Sequence, residues 1–108
     1  MPTVNIFHQN NKDELIYLIK DLKLFLADKL TCGDIKLSEK EISVRLINIE
    51  GDAMIGNIEL EIKAHAFKER IQKQDEICRE VRTFIMGRYE SLGDVRVWLV
   101  LSELGHSW

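Results

Sequence analysis

The strongest constraint on the fold is an order of hydrophobic patterns that occurs twice along the chain. Each half starts with a strand-like run, continues through an amphipathic helix and ends in a second strand-like run. The halves cover about residues 1–50 and 57–104 and have nearly equal lengths, although their sequences differ. Two such units predict a single α+β domain over residues 1–108. We expect a double β-α-β fold, with a four-stranded mixed sheet and two helices packed on one face.

The first half predicts strands at residues 3–8 and 41–49, separated by a helix at residues 13–30. Apolar residues recur every three or four positions in the helical segment, and Gly33 follows as a C-terminal cap. In the second strand, Val44 and Leu46 alternate with Arg45. The two sets are therefore expected on opposite faces of the sheet.

The second half predicts strands at residues 58–64 and 95–101, separated by a helix at residues 68–88. The apolar stripe expected for this helix consists of Ile71, Ile77, Cys78, Val81, Phe84 and Ile85. A sheet covered on one face leaves its other face open, and that face is expected to be covered by self-association. The apolar residues expected on the open face include Val4, Ile6, Val97 and Leu99.

Composition and charge restrict the class of protein and its partners. The chain is 45% apolar and 31% charged, which is typical of a globular domain. The net charge of −3, with Lys and Arg distributed among acidic residues, predicts no nucleic-acid partner. No apolar run approaches the roughly 18 residues of a membrane span, and no leader pattern is evident, so no membrane partner is expected.

Cysteines, histidines and glycines show no pattern typical of a cofactor or metal site. Cys32 and Cys78 form neither a CxxC motif nor a disulfide framework, which predicts reduced thiols and a cytoplasmic location. His8, His65 and His106 lack the spacing of metal ligands. No glycine-rich phosphate loop is present, so we expect neither a metal nor a nucleotide cofactor.

Pro2 directly follows Met1 and opens the first strand-like run. If Met1 is removed, Pro2 has a free secondary amine, and α-amino groups have pKa values of roughly 7.7–8.0. An amine that titrates near neutral pH can accept and return a proton. The alternative is that Pro2 only starts a strand, where its missing N–H costs nothing. If Met1 is retained, the Pro2 nitrogen is an amide and cannot act as a base.

Three stretches of the chain resemble members of the tautomerase superfamily. MPTVNIF followed by NNKDE resembles the amino-terminal segment of these proteins. SVRLINIEGDAMIGN is similar to the arginine-bearing strand and following loop of 4-oxalocrotonate tautomerase. LEIKAHAFKERIQKQDEICREV resembles the strand-to-helix junction of 5-carboxymethyl-2-hydroxymuconate isomerase. The resemblance covers almost the whole chain and extends to macrophage migration inhibitory factor. It implies a cofactor-free homotrimer that transfers a proton between keto and enol forms of small 2-oxo or 2-hydroxy unsaturated acids.

The resemblance also implies roles for individual residues. Pro2 matches the catalytic base, and Arg45 matches the arginine that binds the substrate carboxylate. Lys12 and Lys68 stand where related enzymes have arginines, and would be auxiliary cations in substrate binding. The alternative for Arg45 is an ion pair with a neighbouring glutamate, Glu59 or Glu61. For Lys12 it is a solvated position in the first turn of a helix.

Two further residues match positions that shape the substrate pocket. Met54 stands where the small enzymes have an aromatic wall residue, and Trp98 lies near an aromatic pocket residue of the longer members. The alternative for Trp98 is a place in the core or in a subunit interface. His65 either lines the pocket or is an exposed loop residue. Two other functions stay open at this point: a non-catalytic trimeric binding or structural protein that keeps the fold, and a hydratase-type relative that adds water to an unsaturated acid.

Overall fold

The computed structural model describes residues 2–9, 12–31, 36–51, 54 and 56–103. It contains strands β1 (Thr3–His8), β2 (Ser43–Asn48), β3 (Ile58–His65) and β4 (Val95–Ser102). The helices are α1 (Lys12–Leu30), α2 (Lys68–Gln72) and α3 (Gln74–Arg88). Short 3-10 turns at Glu39–Glu41 and Glu90–Leu92 precede β2 and β4. No helix in these ranges combines the length and apolarity that crossing a membrane requires.

The strands form one sheet in the order β2-β1-β3-β4. β1 is parallel to β2, β3 is parallel to β4, and the two central strands β1 and β3 are antiparallel. Parallel neighbours need a crossover connection, which α1 provides in the first half and α2 with α3 in the second. The fold is therefore a double β-α-β with a mixed four-stranded sheet, as the sequence predicts.

The hydrophobic core lies between the sheet and the helices. Val4, Ile6 and Leu99 belong to this core with 0%, 0% and 7% of their surface exposed, and Val97 packs against it. The expectation that these four residues lie on the open face is therefore wrong. Alternation shows which residues of a strand share a face, but it does not show which face the helices cover.

The long second helix predicted from the sequence is interrupted. Lys73 separates α2 from α3 and takes the angles φ −107° and ψ 14°. Ile71, expected in the apolar stripe, is 53% exposed, whereas Arg70 is 3% exposed. Arg70 lies seven residues before Ile77, which is the spacing of two helical turns, and therefore continues the stripe of buried residues.

Arg70 is tolerated in this buried position because backbone carbonyl groups surround its guanidinium. Nε and Nη2 donate to the carbonyl oxygen of Leu30 at 3.0 and 2.8 Å, and Nη1 donates to that of His65 at 3.1 Å. The guanidinium also lies 4.8 Å from the ring centre of Phe67. Leu30 is the last residue of α1, so Arg70 satisfies a carbonyl that the helix itself leaves without a partner.

The turn before β4 is organised by the Asp94 carboxylate. Arg96 Nε donates to Oδ2 at 2.8 Å, and Arg82 Nη2 donates to Oδ1 at 3.2 Å. Two further hydrogen bonds join the main chain of Asp94 to Asn57. The backbone N–H of Asp94 donates to Asn57 Oδ1 at 3.1 Å, and the backbone carbonyl oxygen of Asp94 accepts from the backbone N–H of Asn57 at 2.9 Å. The hydrogen bonds from Arg96 and then Arg82 hold the pKa of Asp94 below its ordinary value. Asp94 therefore links α3, β4 and the start of β3.

The depressed pKa of Asp94 predicts a loss of stability in acid. A carboxylate whose folded-state pKa is lowered stabilises the fold above its unfolded-state pKa, and this contribution disappears as the pH falls through the folded-state value. We expect Asp94→Asn to lower the free energy of unfolding near neutral pH and to have progressively less effect below the ordinary pKa of aspartate. Urea denaturation across this pH range measures the difference. Glu103→Gln, at an exposed residue beyond β4, is the control. Equal effects of Asp94→Asn at all pH values would contradict the prediction.

Candidate active site

Pro2 is buried at the end of the sheet where β1 begins. Its carbonyl oxygen accepts a hydrogen bond from Ser43 N at 3.1 Å, which ties it to the start of β2. Thr3 pairs with Ser43 of β2 and Lys63 of β3, so the register places Pro2 between Ile42, just before β2, and Ala64 of β3. Ile42 and Ala64 are 1% and 2% exposed. The pyrrolidine ring therefore occupies an apolar end of the sheet.

Four side chains cross the open face of the sheet side by side, one from each strand. Asn5 pairs in register with Arg45 of β2 and with Glu61 of β3, and Glu61 pairs with Trp98 of β4. They alternate with the buried core residues, so all four lie on the face away from the helices. Arg45 and Trp98 are exposed, the latter at 45%. We call these four residues the central row.

Hydrogen bonds join the middle of the central row. Asn5 Nδ2 donates to Glu61 Oε1 at 3.0 Å, and Lys63 Nζ lies 3.6 Å from the same oxygen. Arg45 has no ion pair within the described ranges of the chain. The pairing of Arg45 with Glu61, considered from the sequence, is therefore not present, and the guanidinium is exposed on the open face.

Lys68 and His65 lie at the same end of the sheet as Pro2. β3 runs antiparallel to β1, so its last residue, His65, is near the level at which β1 begins. The His65 ring is half-buried and lies 4.5 Å from the ring of Phe67. Lys68 is exposed at the first position of α2. Pro2 and Lys68 therefore share one end of the sheet.

Lys12 and Met54 lie at the opposite end. Lys12 begins α1 after β1 has finished, and half-buried Met54 lies in the connection between β2 and β3. The six residue-to-residue steps from Pro2 to His8 cover roughly 20 Å. One chain therefore places Pro2 with Lys68 at one end of the sheet and Lys12 with Met54 at the other. Arg45 and Trp98 lie between these ends, on the two opposite edge strands of the sheet.

The helices carry a further concave surface, which the sequence did not predict. An open groove of about 700 Å³ lies between α1 and α3. Its lining includes Phe25 and Phe84, whose ring centres are 4.3 Å apart in a stacked arrangement, and Lys29 and Glu80, which form an ion pair of 2.8 Å. The groove contains none of the predicted site residues.

Asn5 is the member of the central row that sequence reasoning missed. A single asparagine inside a short strand has no motif and no charge to mark it. The available signal was a polar residue between the apolar residues Val4 and Ile6. Within the described ranges, no cluster of three or more His, Cys, Asp or Glu side chains is arranged to hold a metal ion.

The sequence matches no protein-family model and no curated protein. Similar solved structures exist, including a macrophage migration inhibitory factor-like protein from Entamoeba histolytica. That structure has a TM-score of 0.65 and 10% identity, with 98% of this chain and 95% of that chain covered. A 5-carboxymethyl-2-hydroxymuconate isomerase from Deinococcus radiodurans R1 has a TM-score of 0.60 and 15% identity, with 99% of this chain and 87% of that chain covered.

A third similar structure is a protein of unknown function from Vibrio cholerae O1, with a TM-score of 0.63 and 14% identity, covering 99% and 82%. The likeness extends over almost the whole of this chain in each comparison. At sequence identities of 10–15%, this similarity shows the fold alone. The chain therefore has the fold of the tautomerase superfamily, as the sequence resemblance implied.

Proposed function

We propose that this protein is a cofactor-free isomerase of the tautomerase superfamily. Its substrate would be a small 2-oxo or 2-hydroxy unsaturated carboxylic acid, which it interconverts between keto and enol forms. Pro2 is the base once Met1 has been removed, and Arg45 binds the carboxylate. The observation that carries the proposal is a buried Pro2 at the start of a central strand, next to a strand that presents an exposed arginine, in this fold.

The environment of Pro2 suits a proton carrier. Burial next to Ile42 and Ala64 disfavours the protonated form of an amine, which keeps the nitrogen able to accept a proton. In ketonisation the nitrogen accepts the hydroxyl proton of the enol, the O–H electron pair forms the carbonyl, and the C=C pair takes the proton back at carbon. Electrons are neither gained nor lost, so the step needs no redox partner.

Arg45 supplies the charge that binds the substrate. A guanidinium can hold a carboxylate through two parallel hydrogen bonds. Lys12 and Lys68 add positive charge without the planar geometry of arginine. Trp98 and Met54 would supply apolar surface that excludes water from the reacting atoms.

A site that uses all six residues requires more than one copy of the chain. Pro2 and Lys12 lie at opposite ends of β1, roughly 20 Å apart along the strand, which is further than a small acid can reach. The open face also carries Trp98 and Val100, which are 45% and 44% exposed. A homotrimer that covers this face would bury both and bring different ends of neighbouring sheets together.

The environment of Cys78 supports the cytoplasmic location proposed for this enzyme. Cys78 is a free thiol, and burial raises its pKa. A raised pKa lowers the fraction of reactive thiolate. Free structural thiols of this kind suit a reducing compartment.

Native mass spectrometry and an enol assay test the proposal together. The mass should correspond to three chains, each without Met1. This protein should accelerate the ketonisation of phenylenolpyruvate or 2-hydroxymuconate, which is followed by ultraviolet absorbance. A trimer that lacks Met1 and accelerates neither reaction would overturn the enzymatic proposal. Retention of Met1 in the protein from its own cells would favour a non-catalytic trimer.

A further inference from the structure

The centre of the open face contains a buried polar group that nothing described above uses. Asn5 is 8% exposed, and its neighbours along the strand, Val4 and Ile6, face the core. Its amide nitrogen donates to Glu61, but the buried oxygen Oδ1 has no hydrogen-bond partner within the described part of the chain. Buried polar atoms are rarely left without a hydrogen bond in folded proteins, so we expect this oxygen to accept one from a further donor.

Glu61 sets the direction in which the Asn5 amide points. Nδ2 and Oδ1 lie on opposite sides of one planar group, so donation to Glu61 on β3 turns the oxygen away from that strand. Glu61 is itself held by Lys63 at 3.6 Å. On the other side of Asn5 lies β2, whose residue in register is Arg45. Neighbouring strands are about 4.8 Å apart, which an arginine side chain spans easily.

We propose that Asn5 is a positioning residue for Arg45. In the assembled protein the Arg45 guanidinium donates one N–H to Asn5 Oδ1 and keeps its remaining N–H groups for the substrate carboxylate. The role in substrate binding rests on the proposed function, whereas the contact itself does not. An arginine that is already ordered loses less rotamer freedom when a carboxylate binds, so the contact strengthens binding without touching the substrate.

Asn5→Leu removes the acceptor and keeps a similar side-chain volume. We expect KM for phenylenolpyruvate to rise about tenfold while kcat changes less than about threefold, because binding is weakened and Pro2 is unaffected. Asn5→Leu should have no further effect on KM in an Arg45→Ala background, since the two residues act as one unit. Thr3→Val, on the same face of β1, is the control and should leave KM unchanged.

A rescue variant separates positioning from a general loss of structure. Asn5→Asp combined with Glu61→Gln keeps an oxygen acceptor for Arg45 and restores the side-chain hydrogen bond in the reverse direction. We expect this double variant to recover most of the KM lost in Asn5→Leu. An equal rise in KM for Asn5→Leu in the wild-type and Arg45→Ala backgrounds would overturn the proposal.

The mobility of the Arg45 side chain tests the contact without relying on activity. Nuclear magnetic resonance relaxation of the Arg45 Nε–H group, measured on the native assembly, should show an ordered side chain in the wild type and a mobile one in Asn5→Leu. The same mobility in both proteins would overturn the contact. If no enol is ketonised, the proposed function fails, but this measurement still decides whether Asn5 positions Arg45.

Discussion

Replacing Pro2 with alanine is expected to lower kcat for enol ketonisation by about 10²-fold. Proton transfer by a positioned group contributes roughly 10²–10⁴ to a rate, and the flexible primary amine of alanine would retain part of it. The fold should tolerate the change because the carbonyl group of residue 2 can still accept from Ser43 N. Steady-state kinetics on protein that lacks Met1, confirmed by mass spectrometry, measure the effect.

A protein made with an extra residue ahead of Pro2 provides a stricter test. Its Pro2 nitrogen is an amide and has no lone pair available for a proton, so we expect activity to disappear entirely. Thr3→Ala, one position along the strand, is the matched control and should retain most of the wild-type kcat. Full activity of the extended protein would show that the base is another group, even if Arg45 binds the substrate as proposed.

Replacing Arg70 with methionine is expected to lower the free energy of unfolding by about 3 kcal/mol. Hydrogen bonds to charged groups contribute about 1.5–3 kcal/mol each, and removing the guanidinium leaves the carbonyl oxygens of Leu30 and His65 buried without this donor. The cost of burying the charge is removed at the same time, which keeps the expected loss below the sum of the bonds. Urea denaturation gives the difference from the midpoint and slope.

Arg79→Met is the matched control for Arg70. Arg79 lies on α3 and is exposed, so its replacement should change the free energy of unfolding by less than about 0.5 kcal/mol. If Arg70→Met were as stable as this control, the bonds to Leu30 and His65 would contribute nothing net. A loss confined to Arg70 would show that a charged residue joins the two halves, since Leu30 ends α1 and His65 ends β3.

The course of the second helix shows where local pattern was insufficient. Apolar residues at 71, 77 and 78 predicted one continuous helix. The spacing of apolar residues gives no information about a charged residue that is buried in the same stripe. The structure interrupts the helix at Lys73 and buries Arg70 in place of Ile71. A buried arginine depends on carbonyl groups from two distant segments, and no window of local sequence contains them.

Candidate site residues could be chosen from the sequence, but their separation could not be predicted. Pro2 was selected for the amine that it would carry after Met1 removal, and Arg45 and the two lysines were selected from the resemblance to the tautomerase superfamily. The distance between Pro2 and Lys12 depends on which way β1 runs and where α1 begins. The structure places them at opposite ends of the strand, and a site shared between chains is proposed for that reason.

Periodicity alone predicted the four strands, the two β-α-β units and the residues that share each face. These properties depend on side-chain direction along a single segment, which repeats every two residues in a strand and about every 3.6 in a helix. Tertiary structure alone decided which face the helices cover and which residues stand beside one another across strands. Strand register brings Asn5 between Arg45 and Glu61 from segments some 40 and 56 residues away, and no pattern within one segment specifies that register.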